Sequence, residues 1–297
     1  MSRPRRRPTG VSGAVTSRPA QAAAGWLGLV LSATVAMVSA VPLGGSACAT
    51  DRAPAAGAPG RAAEGRPGEA RAVPTRDSPG APASRWRGGF ESGDLSEWSF
   101  LLNPRGLSVV GAPAASGRFA GRVEIGPTDL WPNGLNRVEV QHKPPASTLA
   151  EGARSCFAWR FLVPAPLSED RHQIGYCESY PSYRQIMSFE VRGQAIAFVT
   201  RLPVERVHWQ APGLVTPGVW HQIATCTRWS ADPLRCAVDV WFDGARVVTR
   251  GQARTLWDAP NLVQIGILRD TPASPEVMFL DDAFEGPSLA PAGVGDP

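Results

Sequence analysis

Cys156-Phe157-Ala158-Trp159-Arg160-Phe161 carries an aromatic ring at every second position, and Asn136-Arg137-Val138-Glu139-Val140-Gln141 alternates valine with charged or amide side chains. A period of two sends alternate side chains to opposite faces of an extended chain. The first stretch therefore reads as a strand whose Phe157, Trp159 and Phe161 face a core. In the second, valines face one way and Arg137, Glu139 and Gln141 the other. Working outward, similar short runs predict strands at 186–191, 194–200, 220–227, 236–242, 262–268 and 277–282, with Asp243-Gly244 as a turn. No segment sustains a helical apolar period over three turns. The chain's 31 Gly and 29 Pro exclude long helical bundles and coiled coils, while 43% hydrophobic residues and ten Trp supply a core. The expected fold is all-β: two packed antiparallel sheets in a jelly-roll sandwich spanning 86–287.

The remaining segments have other compositions. Arginines at 3 to 7 precede an apolar stretch from Ala22 to Val41, the layout of an export signal over 1–47. Three endings stay open. Val38-Ser39-Ala40 suits ordinary signal peptidase, Gly44-Gly45-Ser46-Ala47-Cys48 resembles a bacterial lipobox with Cys48 lipidated, and an uncleaved stretch would anchor the chain. Localisation is then the bacterial envelope or the extracellular space, as lipoprotein or secreted protein. Residues 48–85 are rich in Ala, Pro, Gly and Arg and bury too little to offset ordering entropy, so a disordered linker is expected, with a second loose end at 288–297.

Net charge is +4, but five of the 30 basic residues (Arg3, Arg5, Arg6, Arg7 and Arg18) lie in the first 47, leaving 25 against 26 acidic residues. A nucleic-acid partner is excluded, because phosphate neutralisation needs excess cation on the folded domain. Membrane contact is expected only through an N-terminal lipid or anchor. Cys156, Cys177, Cys226 and Cys236 form an even set suited to an oxidising compartment. Of three pairings, Cys226–Cys236, stapling a hairpin, and Cys156–Cys177 are favoured. No spacing of Cys and His suits zinc, and no organic cofactor is implied.

Several motifs occur in order: Gly89-Phe90-Glu91-Ser92-Gly93-Asp94-Leu95-Ser96-Glu97-Trp98, Gly218-Val219-Trp220-His221-Gln222-Ile223, Val238-Asp239-Val240-Trp241-Phe242-Asp243-Gly244, Gln264-Ile265-Gly266-Ile267 and Phe279-Leu280-Asp281-Asp282. The set resembles the concanavalin A-like jelly-roll superfamily, in particular laminin-G-like modules and heparin-lyase-like polysaccharide lyases. The resemblance implies a sugar cleft bordered by the Arg137, Glu139 and Gln141 strand. It also implies a Lys and a Tyr four apart on the strand of Gln264, where this chain has Gln264 and Leu268. Glutamine has no usable pKa and leucine no exchangeable proton, so proton transfer there is lost. A rearranged site would draw on His172, Tyr180, Tyr183 and Arg137, since all three Tyr fall between 176 and 183. A Phe-Glu near the first strand and an Asp-Asp in the last further imply a structural Ca²⁺ held by Glu91, Asp281 and Asp282.

Pyranose C–H faces stack on aromatics, and hydroxyls take planar polar partners. The glycan-binding set is therefore Arg137, Glu139, Gln141, Tyr180, Tyr183, Arg184 and Trp241, with Trp131, Trp209 and Trp257 as further platforms. Trp98, Trp159 and Trp220 read as core. The expected function is a non-catalytic polysaccharide-binding domain on an envelope lipoprotein, with a polysaccharide or cell-surface glycan as partner. The alternatives are a polysaccharide lyase acting by β-elimination on a uronate-containing glycan, and a laminin-G-like protein-interaction module.

Overall fold

The computed structural model describes residues 85–257, 261–270 and 273–293. The export signal at 1–47, Cys48 and the linker, apart from Arg85, lie outside the described residues, as do 294–297 of the tail. In chain order the strands are β1 (Trp86–Gly88), β2 (Phe100–Leu102), β3 (Leu107–Val110), β4 (Ala120–Ile125), β5 (Asn136–His142), β6 (Arg154–Leu162), β7 (His172–Ser179), β8 (Gln185–Arg192), β9 (Ala195–Thr200), β10 (Arg206–Ala211), β11 (His221–Arg228), β12 (Ala237–Phe242), β13 (Ala245–Gly251), β14 (Asn261–Arg269) and β15 (Glu276–Gly286).

They form two antiparallel sheets. The first has the order β13-β12-β11-β6-β15-β4-β3, with β1 paired to β15, and the second the order β10-β9-β8-β7-β14-β5-β2. The two-sheet sandwich read from the alternation is the architecture observed. Phe157, Trp159 and Phe161 point inward from β6 and meet Val138, Val140, Ile174, Ile265 and Ile267 of the second sheet in one core. The Trp159 ring fits because Gly175 lies beneath it: a Cβ there would sit 2.4 Å from the ring. Trp98 and Trp159 are buried as expected, and Trp220 is half-buried.

Two expectations need correction here. The disulfide joins Cys156 to Cys226, while Cys177 and Cys236 are free and buried. Register decides this, since β6 and β11 place Cys156 directly opposite Cys226. Nor is the tail loose up to Gly293. Leu289 is fully buried over Cys156, Cys226, Trp241 and Phe284, and Gln222 Nε2 donates to the Ala292 carbonyl at 2.9 Å. This segment covers the patch of the first sheet's outer face around Cys156, Cys226 and Trp241.

Candidate functional site

The outer face of the second sheet holds a cleft of about 780 Å³. Its floor is built from rows crossing the strands. Phe100 of β2 lies opposite Gln141 of β5, Gln141 opposite Gln264 of β14, and Gln264 opposite Tyr176 of β7. Four residues along β5 from Gln141, Arg137 faces Leu268, which faces Gln173. Pairing is irregular between Gln173 and Gly175, so Ile174 and Gly175 both turn toward the core while Gln173 and Tyr176, three apart, both line the cleft. Gly266 has φ +152° and brings β14 against β5; a Cβ there would lie 2.3 Å from the Val138 carbonyl oxygen.

One hydrogen-bonded network joins the floor. Arg137 Nε donates to Glu139 Oε2 at 2.5 Å, and Nη2 donates to Tyr176 Oη and Gln264 Oε1. Tyr176 Oη donates to Gln264 Oε1 at 2.7 Å and lies 3.2 Å from Glu139 Oε2. Gln264 Nε2 donates to Glu178 Oε1 and, at 3.4 Å, to Gln141 Oε1. Glu139 is fully buried, and its Oε1 has no hydrogen-bond partner.

Burial sets the protonation states. It raises the Glu139 carboxyl above its ordinary range against the opposing pull of Arg137. Burial also pushes Glu178 up to about 7, with Arg137 opposing and Glu139 adding to the rise. Tyr176 is held well above the usual phenol value by burial and by the Glu139 charge, and is a donor at neutral pH. The cleft thus pairs a carboxyl that titrates near neutrality with a phenol that keeps its proton.

At the rim, Tyr180 and Tyr183 meet edge to face at 5.7 Å, and Lys143 Nζ lies 4.4 Å from the Tyr180 ring centroid. At the opposite strand ends Arg171 makes a bidentate ion pair with Asp270 at 2.8 and 2.9 Å.

Of the residues singled out from sequence, Arg137, Gln141, Tyr180, Tyr183 and Gln264 converge on this cleft. Glu139 lies beneath its floor. Arg184 stacks on Trp257 at 4.1 Å and does not line the cleft. Trp241 belongs to the other sheet and is only 4% exposed, because the C-terminal segment covers the face it was expected to present. His172 is fully buried: Nε2 meets Glu276 Oε2 at 2.8 Å and Nδ1 the Asp170 carbonyl at 2.9 Å, so it braces the strand end and does not line the cleft. Sequence reasoning passed over Tyr176 and Glu178. Their spacing of two, matching Arg137-x-Glu139-x-Gln141 on β5, was the available signal.

The three carboxylates assigned to calcium anchor a loop. Glu91 accepts from the Arg118 and Phe119 amides, and Asp281 Oδ2 from those of Ala115 and Ser116. Asp281 Oδ1 accepts from the Asp282 amide, and Asp282 meets Ser116 Oγ and Arg160. All six oxygens already face donors, which does not fit a cage for a hard cation. Among the described residues no group of three or more His, Cys, Asp or Glu is placed to hold a metal.

A family model described as polysaccharide lyase matches residues 90–283. The chain belongs to the polysaccharide lyase family. Its fold is similar to that of an endo-β-1,4-glucuronan lyase from the fungus Trichoderma reesei, with a TM-score of 0.57 and 15% identity over 70% of this chain and 97% of that one. The catalytic domain of a glycoside hydrolase family 131 protein from Coprinopsis cinerea aligns with a TM-score of 0.50 and 18% identity over 68% and 93%. No curated protein matches in sequence. The jelly-roll resemblance read from the ordered motifs is borne out at the level of family and fold. Gln264 and Leu268, the positions where the resemblance implies Lys and Tyr, both line the cleft.

Proposed function

We propose that the chain cleaves a uronate-containing polysaccharide by β-elimination in this cleft, with its proton-transfer groups on β7. Arg137, with Gln141 and Gln264, engages the uronate carboxylate and stabilises the charge that develops when the proton alpha to it is lost. Glu178, ionised above about pH 7, takes that C5 proton. The C5–H electrons form the C4=C5 double bond as the C4–O bond breaks. Tyr176 Oη gives its proton to the leaving glycosidic oxygen, and the resulting phenolate is stabilised by Arg137 Nη2, which already donates to that oxygen. The proton on Glu178 then returns to Tyr176 through solvent. No external oxidant, reductant or co-reactant enters.

The observation that carries the reading is the convergence of the Arg137 guanidinium, the Tyr176 hydroxyl and the Glu178 carboxyl around Gln264 in one cleft. The test is ultraviolet absorbance from unsaturated uronate ends on glucuronan, alginate and heparin, with wild type, Tyr176→Phe and Glu178→Gln. Loss of 10²–10⁴-fold in rate is expected for each variant, about the worth of a positioned acid or base. No product from any polyuronate, or full turnover in both variants, sinks the proposal.

A binding-only role is the second reading, favoured by Gln264 and Leu268 at the two positions where the resemblance implies Lys and Tyr. It predicts oligouronate binding without product. We also infer export through residues 1–47. N-terminal peptide mapping of the mature protein tests this, and a lipid mass on Cys48 separates lipoprotein from secreted forms.

A further inference from the structure

We propose that Phe100, backed by Trp131, is a sugar-stacking platform that holds a ring about three sugars from the reaction centre, so that the cleft selects chains long enough to reach the edge strand. This rests on the reading of the cleft as polysaccharide-binding, though not on catalysis.

Phe100 is 49% exposed, yet it sits in the floor row that runs through Gln141 and Gln264 to Tyr176. The uncovered part of its ring lines the cleft, where the apolar face of a pyranose supplies a partner of matching size. Trp131 stands edge-on to it, ring centroids 6.2 Å apart at 89°. The loop carrying Trp131 is pinned. Trp131 N–H donates to the Leu135 carbonyl and Gly134 N–H to that of Trp131, both at 2.8 Å. Asn103 and Asn136 side chains hold the Asp129 carbonyl at 3.1 and 3.0 Å. A pre-set ring pair loses little side-chain freedom when a sugar lands on it.

Register gives the distance. From Tyr176 to Phe100 the row crosses three strand spacings, or ~14 Å at about 4.8 Å each. One spacing is close to the advance of one 1,4-linked pyranose, so each strand crossed corresponds to about one sugar. In the other direction the next residue of the row is Ser188, fully buried and without a ring to offer. The platform therefore serves only the branch of the chain that runs toward β2.

The experiment measures, by calorimetry, the affinities of oligouronates of increasing length in a Tyr176→Phe background, where elimination is blocked. Phe100, Phe100→Ala and Phe100→Trp versions are compared. With Phe100 intact, affinity climbs with length until the chain spans the platform. Phe100→Ala is expected to weaken only the spanning oligomers, by roughly tenfold (about 1.4 kcal/mol), and Phe100→Trp to retain their affinity. Because the side chain is half exposed, the variants should fold normally, which melting temperature checks. Equal loss at every length, no loss at all, or a change confined to self-association overturns the platform while leaving the cleft in place. If no oligouronate binds even with Phe100 present, the polysaccharide reading itself falls and takes the platform with it.

Discussion

Replacing Arg137 with methionine separates what the guanidinium does for the fold from what it does for the ligand. Glu139 is wholly buried, its Oε2 accepts from Arg137 Nε at 2.5 Å, and its Oε1 has no partner. Removing one member of such a pair leaves a buried charge uncompensated and costs about 3–5 kcal/mol, a large share of the roughly 5–15 kcal/mol that holds a typical domain folded. The carboxyl can escape by taking a proton, since burial already raises its pKa and the loss of Arg137 raises it further. A group with a raised folded pKa keeps a proton that the unfolded chain has lost. Stability therefore falls as pH climbs from the ordinary glutamate range toward the folded value. Arg137→Met should be near wild type at pH 5 and much weaker at pH 8, read by urea unfolding with tryptophan fluorescence. Adding Glu139→Gln removes the stranded charge and should restore most stability at pH 8, while oligouronate affinity and turnover stay lost. The reasoning is refuted if Arg137→Met at pH 8 lies within about 1 kcal/mol of wild type, or if the double variant regains turnover.

With Glu178 as base, kcat/KM should rise about tenfold per pH unit below about 7 and level off above it; Glu178→Gln abolishes that limb, and a wild-type profile flat through neutrality rejects Glu178. Non-reducing peptide mapping should recover a Cys156–Cys226 crosslink. Its joint removal to alanine should cost on the order of 4 kcal/mol, from closing a 70-residue separation, and a Cys226–Cys236 crosslink instead would disprove the register. The Cys177 thiol, pushed up to about 12 by burial and by Glu178, should resist alkylation until the chain unfolds. Calcium or a chelator should leave the melting temperature unchanged, whereas a tight site would add about 2.7 kcal/mol at a hundredfold excess over Kd, visible as a clear upward shift.

The alternating strands were legible because each has one wet face and one dry face. Val138 and Val140 turn inward on β5, as do Phe157, Trp159 and Phe161 on β6. β7 defeats the same reading. All eight of its residues are buried, two successive residues face the core at its irregularity, and Gly175 interrupts the pattern, so Tyr176 and Glu178 look like part of a tyrosine-rich loop. Trp241 alternates with Val238 and Val240 and so faces outward from β12, but only the fold shows that Leu289 covers that side. The hairpin disulfide failed for a similar reason, because proximity in sequence is a weaker guide than register when β6 and β11 are adjacent.

By itself, the sequence determined that this chain builds a two-sheet β sandwich and that Arg137, Glu139 and Gln141 share one face of a strand. Those facts depend on a period of two, which is local. Tertiary structure alone decided which outer face forms a cleft, which cysteines meet, and that Tyr176, Glu178 and Phe100 join Arg137 in that cleft. Such contacts are set by pairing between strands far apart in the chain, and by which surface the C-terminal segment buries, neither of which leaves a periodic trace in any one stretch of residues.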